Sequence, residues 1–534
     1  MRGHLRLSVV LLAAFAAVAI AGPAFGLHRP GHKSGEGWKS HLLAESPLAD
    51  PPPNVANSDI AFWGNKAFVG NYRGFRIFDI SGPTPVLIKD FRCFGPQNDL
   101  SVYDRDEDGE ADLLFASVDR TMKPLDAANP RVDAGCKASE NEALQIGVDS
   151  EGNPVLFPHG DPTGWEGIRV FDISNPTNPV LIASVYQDCG SHTHTMIPQP
   201  ERGRLILLNS SYPLRPGPTC GQVNGPAAGR DSVHGVIQVV EVPLANPAAA
   251  QELTELPINY PGDPDNQFVP AEHGFPPGFE PAMRACHDIA VFMPLGLVAA
   301  ACAEQAQLWK IDPVSGLPNT ANPLWVYDDP EDMDGPGGGD AAVDFWHSAT
   351  FSWDGKVVNF IDESFGIGCP TVTPITNPAT GITKDSDTGR MFFLDVATGK
   401  KLSHFFINRP ETEDPVSLYC SAHLGNVVPA QGRYLLVNAW YTGGVDVIDF
   451  TNPKEPREIA FFDRDGDNWS AYWYETGSSF VTGRMRIYAT DGVEGVFLDP
   501  PVFGEGFQVL EMKTGTRRKG VDHLNPQTQE FKFP

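Results

Sequence analysis

A short phrase recurs along the chain and limits what it can fold into. It reads FRIFDISGPTPVLI from Phe75 to Ile88, IRVFDISNPTNPVLI from Ile168 to Ile182 and VDVIDFTNPKEPREI from Val445 to Ile459. Weaker copies are IQVVEVPLANP (Ile237 to Pro247), QLWKIDPVSGLP (Gln307 to Pro318), MFFLDVATGKKL (Met391 to Leu402) and FQVLEM (Phe507 to Met512), seven in all. Apolar residues such as Ile168, Val170 and Ile173 suit a pleated strand. Asp172 and Ser174 can bond the local backbone and start a turn. Pro176 and Pro179 fix φ and block a helix, and a second apolar run follows from Val180 to Val185. A different phrase precedes each copy. It opens with histidine in HTHTMIP (His192), HDIAVF (His287), HSATFSW (His347) and HLGNVVP (His423), and otherwise in SDIAFW (Ser58), NDLSVY (Asn98) and WSAYWY (Trp469). Each opening is followed by a further apolar run, so each unit supplies about four short strands. Such units repeated side by side close into an all-β propeller. The phrase count gives seven blades, within a range of six to eight set by the weaker copies.

The D-I-S-x-P-x-x-P phrase, with its repetition from about Ser58 to Met512, resembles the LVIVD-repeat family. The resemblance implies a propeller fold and carries little about activity. The expected organisation is a signal peptide at 1–26, an extension at 27–57, a seven-bladed propeller at 58–513 and a tail at 514–534 that closes the last blade.

The start of the chain bears on location. Arg2 and Arg6 precede an apolar run from Val9 to Ala21, and small residues allow cleavage after Ala21 or Gly26. That is the layout of a secretory signal, and thirteen residues are short for a membrane span of about 20. The protein is therefore expected to be secreted or extracytoplasmic, with no membrane span. A net charge of −28 repels phosphate backbones and excludes nucleic acid as a partner. The Arg517-Arg518-Lys519 cluster reads as a solvated turn.

Propeller blades need roughly 40 to 50 residues, and the excess in this chain falls in particular places. With strands named a to d outward from the channel, the long b–c connections run from 119 to 166, 211 to 234, 364 to 389 and 492 to 506. The long d–a connections run from 259 to 284, 329 to 345 and 409 to 421. Both kinds of loop leave from one face, which is the expected binding face. Eight cysteines in an exported chain read as disulfides. Cys93, Cys136, Cys189, Cys220, Cys369 and Cys420 lie in those connections, so neighbour pairing (Cys93 with Cys136, Cys189 with Cys220, Cys369 with Cys420) would staple them. Cys286 and Cys302 flank an a–b hairpin and could bond across it. Eight cysteines permit 105 connectivities, so these pairs are a geometric preference.

Two constellations could carry chemistry. His192, His287, His347 and His423 occupy one equivalent position in four consecutive units, at the start of strand a on the elaborated face. Converging imidazoles bind Fe, Cu or Zn, and Glu304 and Glu363, at the ends of strands b, could accept from the far ring nitrogens. His194 and His234 are nearby. The arrangement is similar, in architecture only, to four-histidine propeller oxygenases and to selenium-binding proteins. The bland alternative is that polar residues cap inner strands. The second constellation is YDRDEDGEADLLF, where Asp104, Asp106, Asp108 and Asp112 surround Gly109. This is an oxygen-rich loop of the kind Ca²⁺ requires, similar to the hairpin loops of FG-GAP propellers, with a structural role on the trimmed face. Asp463, Asp465 and Asp467 form a shorter copy. No G-x-S-x-G, H-E-x-x-H or P-loop string occurs.

The first functional reading is an extracellular binding module whose insertion-rich face engages a protein, glycan or small ligand. The alternative is a metal-dependent oxidoreductase or lyase with a four-histidine site at the channel mouth. The two differ in one geometric respect: imidazoles that approach one another favour the enzyme, and rings turned outward favour the module.

Overall fold

A computed structural model describes residues 36–47, 57–122, 133, 135–136, 165–187, 189–211, 235–261, 286–302, 305–328, 345–363, 375–376, 383–384, 389–407, 421–441, 443–463, 468–491, 506–526 and 529–532. The expected leader at 1–26, most of the interiors of the long connections, His234, Glu304, Asp465, Asp467, Cys220, Cys369 and Cys420 lie outside the described residues. No helix among the described residues is long and apolar enough to cross a membrane.

Seven antiparallel sheets stand around a channel. Their inner strands are Asn57–Trp63, Gln97–Tyr103, Thr193–Gln199, Ile289–Phe292, Trp346–Phe351, Gly425–Val428 and Asn468–Trp473. Each inner strand contacts the next, and the seventh contacts the first, so the ring is closed. The fold is a seven-bladed β-propeller, as the phrase count predicts. The turn chemistry of the phrase is also present. Asp79, Asp172 and Asp449 accept hydrogen bonds from the backbone N–H of Ser81, Ser174 and Thr451 at 2.8, 3.0 and 3.0 Å.

Apolar side chains fill the wedges between blades. Phe292 and Leu308 of blade 4 pack with Trp346, Phe351, Phe360 and Phe392 of blade 5, all buried. The second strand of blade 5, Val357–Asp362, is buried at every residue because both of its faces meet a neighbouring blade.

The two ends of the chain take different places from those expected. Ser40–Ser46 pairs with Phe507–Lys513 and forms the outermost strand of blade 7. The ring is therefore closed by the N-terminal extension, and the tail does not close the last blade. SHLLAES lacks strict alternation, so nothing in it marks a strand until blade 7 offers an open edge. Glu36–Trp38 adds a fifth strand to blade 6.

The tail goes inside. Its hairpin, His523–Asn525 with Glu530–Lys532, pairs with the inner edge of blade 1 through Trp63 and Phe62. His523 stacks on Trp63 with ring centres 3.9 Å apart. The Asn525 amide accepts from Val102 N (2.8 Å) and donates to Val102 O (3.0 Å). The Gln529 amide grips Phe351 in the same way, at 2.7 and 2.6 Å. Trp63, Val102 and Phe351 lie at the ends of their inner strands, so the hairpin lies across the channel end opposite the histidines.

Cys93 bonds to Cys136 and Cys286 to Cys302. Cys189 is also disulfide-bonded. Gln97, at the start of the inner strand of blade 2, pairs with Val118 near the end of its second strand. The b–c connection after Met122 therefore leaves on the side where the inner strands begin.

Candidate metal centre at the channel mouth

The four equivalent histidines sit where their inner strands begin, and all are buried. In blade 5, Trp346 pairs with Asp362 and Ser348 with Ile361, which leaves His347 as the extra residue of a β-bulge. A bulge re-aims the side chain it carries, and the same irregularity falls at Trp469 in blade 7. Ring centres of His192 and His287 are 4.5 Å apart, those of His287 and His347 3.8 Å, and those of His347 and His423 4.2 Å. The rings form a row that follows blades 3 to 6.

Their hydrogen bonds separate them. His192 Nδ1 lies 3.2 Å from Asp119 Oδ1, and the Gln97 amide nitrogen lies 2.9 Å from its Nε2. His287 Nδ1 is 2.9 Å from Asp288 Oδ1. His423 Nδ1 is 2.5 Å from the Trp469 carbonyl oxygen. A carbonyl only accepts, so Nδ1 carries the proton and Nε2 keeps a lone pair. That lone pair is 3.9 Å from Glu363 Oε1. His347 is 0% exposed, and neither of its ring nitrogens has a hydrogen-bond partner. Its Nε2 is 3.6 Å from Glu363 Oε2 and its Nδ1 3.9 Å from Asp288 Oδ2. A buried imidazole without partners is costly on its own; a cation between the rings and the carboxylates would satisfy it.

Burial holds these rings neutral. It pushes His287 down to about 3 and His347 and His423 well below the usual imidazole value, with neighbouring histidines adding to the shift on His347. His192 is also lowered by burial, against the opposing pull of Asp119. Neutral imidazole is the metal-binding form. Two groups of three have ligand atoms all within 4.8 Å of one another: His347, Glu363 and His423, and His287, Asp288 and His347.

Glu363 therefore stands among the ligand atoms, a closer place than the outer acceptor expected of it. Tyr441 donates its hydroxyl to Glu363 Oε1 at 2.6 Å. Its backbone is left-handed, with φ 48°, and is pinned by reciprocal bonds to Asn468 of 3.1 Å each. Strain of that kind in a non-glycine residue gathers at functional sites. Tyr441, Asp119 and Asp288 were not among the residues expected from sequence. Asp119 lies near the end of the second strand of blade 2, Leu113–Met122, and Tyr441 and Glu363 just follow the second strands of blades 6 and 5, so that region compared across every unit would have found them. His194 is a core histidine, held between Ser101 (2.6 Å) and Ser117 (2.9 Å).

Inside the channel, the inner strands carry the buried Asp59 and Asp99. Burial pushes Asp59 up to about 7, and burial with the nearby Asp59 and Asp288 carboxylates pushes Asp99 well above the usual range. The folded state thus favours protonated Asp59, whereas the unfolded chain ionises near 3.9. The associated stability is full below about pH 4 and is lost as pH rises towards 7. Asp59→Asn is expected to remove that loss. Its stability relative to the parent should rise between pH 4 and 7, by no more than about 1.4 kcal/mol per pH unit, and then level off. Thermal melts of both proteins across this range check it; curves that stay parallel would count against a raised Asp59.

In the turn between the first two strands of blade 2, carboxylate oxygens of Asp104, Asp106 and Asp108 come within 4.8 Å of one another. Asp112 is drawn aside, 3.2 Å from the Arg105 guanidinium and accepting the Arg105 N–H at 2.9 Å. Asp104 also accepts from Gly109 N at 2.8 Å. This loop is on the face opposite the histidines.

Fold and site define a seven-bladed propeller with a histidine–carboxylate cluster at one channel mouth. The chain carries LVIVD repeats: the LVIVD repeat matches residues 56–91, which span blade 1, and 163–187, the outer half of blade 2. No curated protein matches the sequence. Among solved structures, the periplasmic gluconolactonase of Pseudomonas aeruginosa is 10% identical, covering 87% of this chain and 98% of its own, with a TM-score of 0.42. A protein from Lactobacillus plantarum is 11% identical over 90% of this chain and 99% of its own, at 0.43. A putative 6-phosphogluconolactonase from Bacteroides uniformis is 11% identical over 86% and 100%, at 0.39.

Proposed function

We propose that this protein is an exported metal-dependent enzyme, an oxidoreductase or lyase, acting on a small molecule at the histidine face of the channel. One observation carries the reading. His347 is fully buried with both ring nitrogens without hydrogen-bond partners, beside Glu363 and the Nε2 lone pair of His423, itself 3.9 Å from Glu363 Oε1. Two imidazoles and one carboxylate with positions left open form the donor set of non-haem iron oxygenases and of several zinc enzymes. Fe, Cu or Zn held there would supply Lewis-acid or redox chemistry. The chain's own groups have separate tasks. Tyr441 orients Glu363, the Trp469 carbonyl fixes the His423 tautomer, and burial keeps the imidazoles neutral. The approach of the four rings favours this reading over a binding module that uses its loops alone. Export rests on the leader sequence and agrees with the disulfides. A Ca²⁺ ion at Asp104, Asp106 and Asp108 would brace the far face.

The test is elemental analysis of protein purified without chelators, beside His423→Ala. The expected result is stoichiometric iron, copper or zinc in the parent, lost in a variant that still melts cooperatively. A parent that holds no transition metal and takes none up would overturn the proposal.

A further inference from the structure

We propose that the channel mouth takes two divalent cations, one on each side of the His347 ring, with that imidazole as their shared ligand. The inference rests on the metal-centre reading and extends it in number and arrangement.

Each of the other three histidines in the row has a ring nitrogen engaged: His192 with Gln97 and Asp119, His287 with Asp288, His423 with the Trp469 carbonyl. His347 alone of the four has both nitrogens without hydrogen-bond partners, and it is the most deeply buried. The two nitrogens face different carboxylates. Nε2 is turned to Glu363 and Nδ1 to Asp288. Beyond each carboxylate stands another imidazole, His423 on the Glu363 side and His287 on the Asp288 side. The two groups of three close-set ligand atoms share His347 and no other residue.

One cation leaves half of this arrangement unexplained. A single ion between His347 Nε2, Glu363 and His423 satisfies one nitrogen. The other would then be an N–H, or a lone pair, buried beside Asp288 without a hydrogen bond. A second cation between His347 Nδ1, Asp288 and His287 satisfies it. Binding of that ion releases the remaining ring proton of His347 to solvent, and His287 Nδ1 exchanges its bond to Asp288 for the ion. Charge also favours the pair. Two divalent ions bring four positive charges, and Glu363, Asp288 and a deprotonated His347 offset three, with Asp119 close by on His192. Small ions with imidazole and carboxylate preference fit both positions: copper, zinc, or one of each. The bulge at His347 re-aims its side chain, and its ring lies tilted between those of His287 and His423, at 39° and 40° to them.

The experiment is a Cu²⁺ titration of the full-length mature protein, first stripped with chelator. Copper that survives desalting is counted, and the electron paramagnetic resonance signal is followed. The expected result is two equivalents per chain, with the signal growing to the first equivalent and shrinking on the second as the ions couple through the ring. Asp288→Asn should retain one equivalent with an uncoupled signal, and His347→Ala should lose the coupling altogether. Saturation of the parent at one equivalent would overturn the shared-ligand proposal and leave the single-metal reading standing. Two equivalents that remain coupled in His347→Ala would also overturn it. Failure to bind any copper would overturn the shared-ligand proposal, and the single-metal reading falls with it if iron and zinc are refused as well.

Discussion

Removing residues 36–46 is expected to destabilise the whole ring. The strand Ser40–Ser46 forms a six-pair register with Phe507–Met512, and Leu42, Leu43 and Ala44 pack against the core shared by blades 1, 6 and 7. Half-burial of two leucines contributes roughly 1–1.5 kcal/mol each, and each ladder hydrogen bond adds about 0.5–1.5 kcal/mol net. The expected loss is on the order of 5 kcal/mol or more. The edge of Phe507–Lys513 would also become free to pair with another chain. Calorimetry should show a melting point lower by several degrees, and size-exclusion chromatography a concentration-dependent dimer. A shortened protein that melts with the parent and stays monomeric would mean that the extension is a passive cover.

The second large effect is expected at the inner hairpin. Asn525 and Gln529 each hold one inner strand by a pair of amide–backbone bonds, to Val102 and to Phe351. Asn525→Ala with Gln529→Ala leaves four buried backbone groups without those partners. Each unsatisfied group costs about 1–3 kcal/mol before water reaches it, so a combined loss of roughly 4 kcal/mol or more is expected. Hydrogen exchange at the Val102 and Phe351 amides should quicken, while exchange at the histidine end stays as in the parent. Unchanged protection at both amides would show that the hairpin does not hold the inner strands.

What could be read from the sequence follows from how local each signal is. The seven phrases carry their own strand and turn chemistry, so blade number and the shared position of the four histidines were legible. The partners of those histidines were not. Gln97 reaches His192 from the neighbouring blade across 95 positions. Tyr441 reaches Glu363 across 78 positions. Such pairs arise only when the ring closes, and no spacing rule links them. The position of Glu363 at the end of a second strand was visible, but its closeness to His347 depends on a bulge, which leaves no mark in HSATFSW. The places of the two chain ends were not legible for the same reason. The extension and the tail carry no copy of the phrase, and the sheet edges that receive them exist only in the assembled fold.

The seam in blade 7 also fixes an order in time. Its outer strand is made before any of the seven blades, and the strand it joins is made only after six of them. The intervening positions 47 to 506 take on the order of half a minute or more to synthesise at about 5–20 residues per second. Throughout that interval residues 40–46 have no partner, while six blades can already have formed. The wait falls on a segment with two adjacent leucines, so holding it out of wrong pairings is a task for whatever escorts the nascent chain. Folding of this propeller is then governed by an appointment between its two ends, and a stall in translation near blade 7 leaves an open ring.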